Sequence, residues 1–275
     1  MVEDFQVRFW GVRGSIPCPE PSHSTYGGNT SCVEVRCGET VIVLDAGTGL
    51  RPLGKSLLRE NVKTIHLLLS HLHLDHIIGL PFFEPAYDPW TRLFLRAGNL
   101  MPERRLRETL DRLMSPPFFP ISADVFQADV SCVDFRAGET FSLPGDVTVK
   151  TAPLRHPDGS TGYRISWRGK SLCYITDTEH PPTGLDPNIL ELIQNTDLMI
   201  YDATYCNETY PKHSGWGHST WEAGVALAKA AAVRQFALFH HDPNRTDEAL
   251  AAIAAKARAS FAGAFAAQEG QTVVL

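Results

Sequence analysis

The sequence predicts an α/β protein built as a four-layer αββα sandwich. Apolar runs of strand length alternate with segments of helix length along all 275 residues, and the 43% hydrophobic content suffices for two sheets faced by helices. The proline-rich tract Ser115-Pro116-Pro117-Phe118-Phe119-Pro120 divides two halves of similar strand-then-helix character. That implies an internal pseudo-symmetry within a single domain spanning 1–275, not two independent domains. Histidines and aspartates also gather where expected strands end, which is where α/β folds place their chemistry.

In the first half, apolar runs and turn signals predict strands near 6–12, 31–37 and 41–46, a helix near 50–60 and a strand at 64–69. A short helix follows, then a strand near 92–97 and a helix near 102–114. The second half has strands near 131–136, 147–154, 162–167 and 171–176, a helix near 187–194 and a strand near 197–203. Arg168-Gly169-Lys170 turns one hairpin within it. Ser219 or Thr220 is an N-cap, with Glu222 in the first turn, for a helix near 219–233. A strand at 235–240, an alanine-rich helix near 246–260 and a strand near 271–275 close the chain.

The chemistry concentrates in Ser70-His71-Leu72-His73-Leu74-Asp75-His76, directly after the apolar run Ile65-His66-Leu67-Leu68-Leu69. Imidazole and carboxylate are the ligands that borderline divalent metals such as zinc prefer. Four of them this close cannot all enter a core without a heavy desolvation cost. One turn supplies only some of the ligands such a site needs, so further donors are expected at later strand ends. His156 follows the segment 147–155, Asp177 follows 171–176, and His240 follows 235–239.

This order, HxHxDH, then a histidine, then Tyr-Ile-Thr-Asp, then a histidine after an apolar strand, resembles the metallo-β-lactamase superfamily of metallohydrolases. The resemblance implies two divalent metals. One is held by His71, His73 and His156, the other by Asp75, His76 and His240, with Asp177 bridging. Histidine at 73, where di-iron members carry a carboxylate, implies zinc, with manganese as the alternative. His241 adjoins His240; the latter is preferred because His-x-x-Pro at 240 to 243 resembles the phosphodiesterase branch. A bridged metal pair lowers the pKa of a bound water and neutralises charge on the attacked group. Asp75 is a further catalytic candidate, orienting that water or accepting its proton. Asp45, ending Val41-Ile42-Val43-Leu44, is either a hydrogen-bond partner for a ligand histidine or a turn-former.

Gly217-His218-Ser219-Thr220 opening a helix, after Asp202-Ala203-Thr204, resembles the branch typified by the transfer-RNA 3′-processing endonuclease. The resemblance makes His218 the proton donor to the leaving alkoxide and Asp202 its paired carboxylate. A phosphodiester needs such an acid, because its departing oxygen is a poor leaving group at neutral pH. The transfer-RNA enzymes carry a long arm between the positions matching His156 and Asp177, whereas those residues stand only 21 apart here. Net charge is −6 and the sequence pI is near 6.0, with no basic stripe for a long polyanion. Arg104, Arg105, Arg107 and Arg112 are interleaved with Glu103, Glu108 and Asp111 and read as a solvated face.

Phe9-Trp10-Gly11-Val12-Arg13-Gly14-Ser15-Ile16-Pro17, Tyr26-Gly27-Gly28-Asn29-Thr30-Ser31-Cys32 and Leu44-Asp45-Ala46-Gly47-Thr48-Gly49 resemble small phosphodiesterases related to cyclic-nucleotide phosphodiesterases, as does Gly79-Leu80-Pro81-Phe82-Phe83. The expected substrate is thus a small nucleotide diester, cyclic diesters included. Arg13 and Asn29 are candidate donors to its phosphate or base, or else parts of turns between strands. Trp90, Tyr205 and Trp216 are candidate platforms for a base, and His180 and His213 read as solvated loop residues. The alternatives are RNA 3′-end processing, a thioesterase or lactonase, and a nucleotide-binding module without turnover.

Six cysteines, Cys18, Cys32, Cys37, Cys132, Cys173 and Cys206, form no CxxC pair and read as buried free thiols in a reducing compartment. Met1-Val2-Glu3-Asp4-Phe5 lacks a basic-then-apolar leader, and no apolar run nears ~18 residues. A cytoplasmic protein without a membrane partner is expected. Relatives in the resembled family are often dimers, so a homodimer is compatible with the sequence.

Overall fold

The computed structural model describes residues 4–275. The first sheet has the order β14 (Thr272–Val274), β1 (Phe5–Gly11), β2 (Cys32–Cys37), β3 (Thr40–Leu44), β4 (Thr64–Leu69), β5 (Arg92–Ala97) and β6 (Asp129–Asp134). The second runs β13 (Ala264–Ala266), β12 (Gln235–Phe239), β11 (Leu198–Asp202), β10 (Lys170–Ile175), β9 (Ser160–Trp167), β8 (Val147–Leu154) and β7 (Thr140–Leu143). Strands β3 to β6 are parallel, as are β10 to β13. The last strand returns to the first sheet and pairs antiparallel with β1.

Period-two patterning sets the layers. In β1 the residues Phe5, Val7 and Phe9 point into a core between the sheets, where they join Val33, Val35, Ile42, Val149, Ile165, Tyr174 and Phe239. Parallel strands read apolar on both faces, and β4 shows why: Ile65, Leu67 and Leu69 pack outward, under α1 (Leu50–Arg59) and α3 (Leu106–Leu113), while Leu68 points inward. On the far side α4 (Pro187–Leu192), α5 (Trp221–Ala230) and α6 (Asp247–Ser260) cover the second sheet through Ile189, Val225 and Ala257. The expected αββα layering is therefore what forms.

The elements depart from expectation at a few points. Strands β7 and β13 lie outside the predicted set; Thr140-Phe141-Ser142-Leu143 and Ala264-Phe265-Ala266 are too short to show a period. Helix α3 begins at Leu106, later than predicted, where Asp134 from β6 accepts a hydrogen bond from the Leu106 amide at 2.9 Å. That cap comes from a distant strand. Thr220 caps α5 as expected, accepting from the Ala223 amide. The cysteines are all unpaired, but Cys132 and Cys206 are only partly buried. Among the described residues, no helix is long and apolar enough to cross a membrane.

Candidate metal centre

The C-terminal ends of β3, β4, β8, β10, β11 and β12 deliver the polar residues to one edge of the sandwich. Asp45, Asp177 and His240 each follow a strand and adopt left-handed backbone, with φ of 61°, 55° and 57°. Such conformations cost on the order of 1–3 kcal/mol each and persist only where the surroundings over-determine them. Here the buried strands fix each turn, and the turn swings the side chain back over the sheet edge.

Two donor sets meet there. His71, His73 and His156 form one, and Asp75, His76, Asp177 and His240 the other; within each, the candidate ligand atoms lie within 4.8 Å of one another. Asp177 stands between the sets. Its Oδ1 is 3.8 Å from both His71 Nε2 and His156 Nε2 and 3.4 Å from His240 Nε2, and its Oδ2 is 3.1 Å from His76 Nε2. Asp75 Oδ2 lies 3.2 Å from the Nε2 atoms of His76 and His240 and accepts the Ser15 amide at 2.7 Å.

The outward ring nitrogens explain this convergence. His76 Nδ1 donates to Asp45 Oδ2 at 2.8 Å, His71 Nδ1 to Ser70 Oγ at 3.0 Å, His156 Nδ1 to the Gly217 carbonyl at 2.7 Å, and His240 Nδ1 to Thr204 Oγ1 at 3.0 Å. Each bond places the proton on Nδ1 and leaves the Nε2 lone pair facing the cluster, as metal-ligating histidines require. His73 is reversed, its Nδ1 3.0 Å from His156 Nε2. His71 Nε2 and His76 Nε2 are buried without a hydrogen bond. The Asp75 and Asp177 oxygens near His76 Nε2 lie off its hydrogen-bonding direction. Buried polar atoms left without partners are expensive, and a divalent cation is the partner this donor set fits.

The electrostatics agree. Burial opposes charge on His76, yet Asp177, Asp75 and Asp45 override it and raise its pKa well above the usual imidazole range. Burial and the charge of His76 push His71 well below that range. Burial alone would raise the Asp177 carboxyl, but His240, His76 and His71 hold it well below the usual value.

Residues 40–241 match the model of the beta-lactamase superfamily domain. The chain belongs to that superfamily. It is 30% identical over 269 residues to the uncharacterized protein Rv1339 of Mycobacterium tuberculosis, covering 95% of this chain and 89% of that one. Ribonuclease Z of Metallosphaera sedula is 25% identical over 272 residues, covering 86% and 87%. Among solved structures, the metallo-beta-lactamase fold protein YhfI from Bacillus subtilis superposes with a TM-score of 0.76 at 17% identity, covering 99% of this chain and 100% of its own. A diphosphatase from the PhnP family gives 0.70 at 20%, covering 98% and 97%. These structural likenesses speak to the fold, and the superfamily membership makes the protein a metal-dependent hydrolase with a site for divalent metal.

Beside the superfamily's metal cluster lies a histidine and carboxylate pair. His218 Nδ1 is 2.9 Å from Asp202 Oδ2, and its ring stacks on His240 with centroids 4.8 Å apart. Burial disfavours the imidazolium, but Asp202, with Asp177 and Asp75 behind it, outweighs burial and raises the pKa to about 9. Thr204 Oγ1 donates to Asp202 Oδ1 at 2.8 Å and so joins this pair to His240. Aspartate therefore reaches the histidine despite its short side chain.

Of the adjacent histidines, His240 faces the cluster, whereas His241 turns its Nε2 to the Ala267 carbonyl at 2.9 Å. Arg13 and Asn29 do not line the site. Arg13 is fully buried; it donates from Nε to the Gly27 carbonyl at 2.9 Å and from Nη1 to the Arg245 carbonyl at 2.8 Å. Asn29 Nδ2 donates to Glu269 Oε2 at 2.9 Å. Both are loop struts, because each side chain reaches an acceptor in the C-terminal third, Arg245 or Glu269, that local sequence does not reveal. His180 and His213 are likewise not free in solvent. His213 stacks on Tyr205, with centroids 4.3 Å apart, and meets Trp216 edge-on, while His180 packs at a tilt against Tyr210 and meets Ser219 Oγ at 2.9 Å. Tyr205 is thereby buried, and Trp90 and Trp216 stay exposed.

Residues outside the expected set are Ser70, Tyr174, Thr204 and Gly217, which orient the ligands. Only Asp45 among the orienting groups carried a signal in the sequence, its place at a strand end.

Proposed function

We propose that this hydrolase is a phosphodiesterase that uses two divalent ions, zinc foremost and manganese as the alternative, to cleave a small nucleotide diester, cyclic diesters included. His71, His73 and His156 would hold one ion and Asp75, His76 and His240 the other, with Asp177 shared. Bound there, the ions would supply Lewis acidity and a nucleophile active at neutral pH. The observation that carries the reading is the His218 and Asp202 pair beside the metal cluster. Asp202 holds Nδ1, and among the described residues Nε2 makes no hydrogen bond, so it is free to give its proton to a departing alkoxide. Asp75, oriented by the Ser15 amide, is placed to hold or accept the nucleophile's proton.

A small substrate is supported by the short β9–β10 hairpin, which turns at Arg168 and Gly169 without an inserted arm, and by the net charge of −6. The likeness to ribonuclease Z favours a second reading, RNA 3′-end processing. Two measurements separate the readings. His218→Ala should cut turnover of a diester with a poor leaving group by roughly 10²–10⁴-fold and that of a p-nitrophenyl diester far less, with bound metal unchanged. An equal loss on both would remove the proton-donor role. Binding to a small diester should weaken only slightly with salt, whereas a protein neutralising several RNA phosphates loses affinity steeply.

A further inference from the structure

The loop between β1 and β2 carries a donor set apart from the hydrolase centre. Cys18, Glu20 and His23 present a thiol, a carboxylate and an imidazole whose ligand atoms lie within 4.8 Å of one another. Cys18 and His23 are buried, while Glu20 reaches in from the surface, its Oε2 3.8 Å from His23 Nδ1.

Two further observations single this set out from ordinary packing. His23 Nε2 lies 2.9 Å from the Pro243 carbonyl. A carbonyl only accepts, so Nε2 carries the proton and Nδ1 is left as an acceptor, which meets the Ser22 hydroxyl at 3.0 Å and has Glu20 beyond it. The same device orients His156 through Gly217, and it is how proteins prepare a histidine to bind metal. The Cys18 thiol meets the Ile16 carbonyl at 3.5 Å and the Pro243 carbonyl at 3.7 Å, and no side chain competes for its sulfur. Burial pushes the thiol's pKa up, but the neighbouring Arg13 charge favours the thiolate. A thiolate and a carboxylate together balance a dication, and the Ser22 hydroxyl, 3.0 Å from His23 Nδ1, is at hand as a fourth donor.

We propose that Cys18, Glu20 and His23 form a separate binding site for a thiophilic divalent ion of the zinc type, which fixes the β1–β2 loop in the conformation that lets His23 meet the loop carrying His240. Pro243 lies three residues beyond His240, and Ser15, whose amide holds Asp75, lies three residues before Cys18. The ion thus fixes the loop that carries Ser15 and, through the bond from His23 to the Pro243 carbonyl, steadies the loop after His240, while its own ligands stay outside the hydrolase centre. Binding releases the thiol proton to solvent.

Cobalt(II) tests this in the intact protein. Every donor of the hydrolase centre is nitrogen or oxygen, so a thiolate-to-cobalt charge-transfer band in the near ultraviolet reports a cysteine ligand alone. Wild type should develop one saturable band, and Cys18→Ser should abolish it while lowering bound metal by about one ion per chain, counted by mass spectrometry. Cys206→Ser, which removes one of the two partly accessible thiols, should leave the band intact. Because Glu20 is exposed, Glu20→Gln keeps the test decisive even if Cys18→Ser misfolds; it should weaken the cobalt affinity read from the band by at least ~10-fold, the low end of what losing even a ligand's partner costs. No band in saturated wild type, a band that survives Cys18→Ser, or unchanged affinity in Glu20→Gln overturns the proposal.

Discussion

Replacing Asp45 by asparagine changes one atom in kind and leaves the side chain's shape intact, so it isolates the role of the buried charge behind His76. The wild-type carboxylate accepts four hydrogen bonds: Oδ1 from the Ser70 amide at 2.7 Å, and Oδ2 from Ser70 Oγ at 2.7 Å and from His76 Nδ1 and Tyr174 OH at 2.8 Å each. An asparagine does best with its oxygen at the Oδ2 position, which keeps three of the four. Its amide then faces the Ser70 amide, donor against donor, in a fully buried place. Losing a hydrogen bond to a charged acceptor and stranding a buried donor costs roughly 2–4 kcal/mol. For a chain of this size that lowers the melting temperature by about 4–16 °C. The weaker acceptor also leaves His76 less basic and less well held, for which a 10–100-fold loss of metal affinity is expected. Asp45→Ala goes further, stranding four donors at about 1–3 kcal/mol each, comparable with the whole stability of a folded domain, so it should not fold. Calorimetry of the metal-free protein and chelator competition on the loaded protein measure the two effects separately. Wild-type melting together with wild-type metal affinity in Asp45→Asn would show that the network does not hold the ligand, and the reasoning would fail.

Arg13→Lys should destabilise the protein by roughly 2–5 kcal/mol, since the guanidinium's bonds to the Gly27 and Arg245 carbonyls are lost in a buried place, yet leave KM for a diester unchanged. Denaturation and steady-state kinetics check this, and a raised KM at wild-type stability would return Arg13 to the substrate. In Gly14→Ala the new Cβ would lie 2.3 Å from the His240 ring, so the ring must move and metal affinity should fall by about 10-fold or more; full loading at wild-type affinity would show that the loop yields instead. Burial and Arg96 lower the His66 pKa to about 4, so the folded protein keeps this ring neutral where the unfolded chain, near 6.5, takes up a proton. Stability held above pH 6.5 is therefore lost as the pH falls toward 4. The drop in melting temperature from pH 7 to pH 5 should be smaller in His66→Gln than in wild type, and equal drops would contradict the assignment.

The strands with unbroken or alternating apolar runs were legible in the sequence, because burial on one face or two leaves a period that neighbours along the chain repeat. So were the histidines and aspartates at their ends: β4 running into His71, His73, Asp75 and His76 needs no distant partner to be recognised. Strands β7 and β13 were not, being too short for a period and defined only by the strands beside them. The sequence by itself thus determined the αββα order and the metal-type donors, and the pairing of His218 with Asp202 came from the resemblance its motif carries. Tertiary structure alone decided what orients each ring, and that Arg13, Asn29, His180 and His213 brace loops instead of meeting solvent or substrate; it also bears out the preference for His240 over His241. The physical reason is separation along the chain. Arg13 meets a carbonyl 232 residues away and Asp45 a tyrosine 129 residues away. A periodic pattern reports that a side chain is buried, but the partner that satisfies it is set by how the two sheets stack.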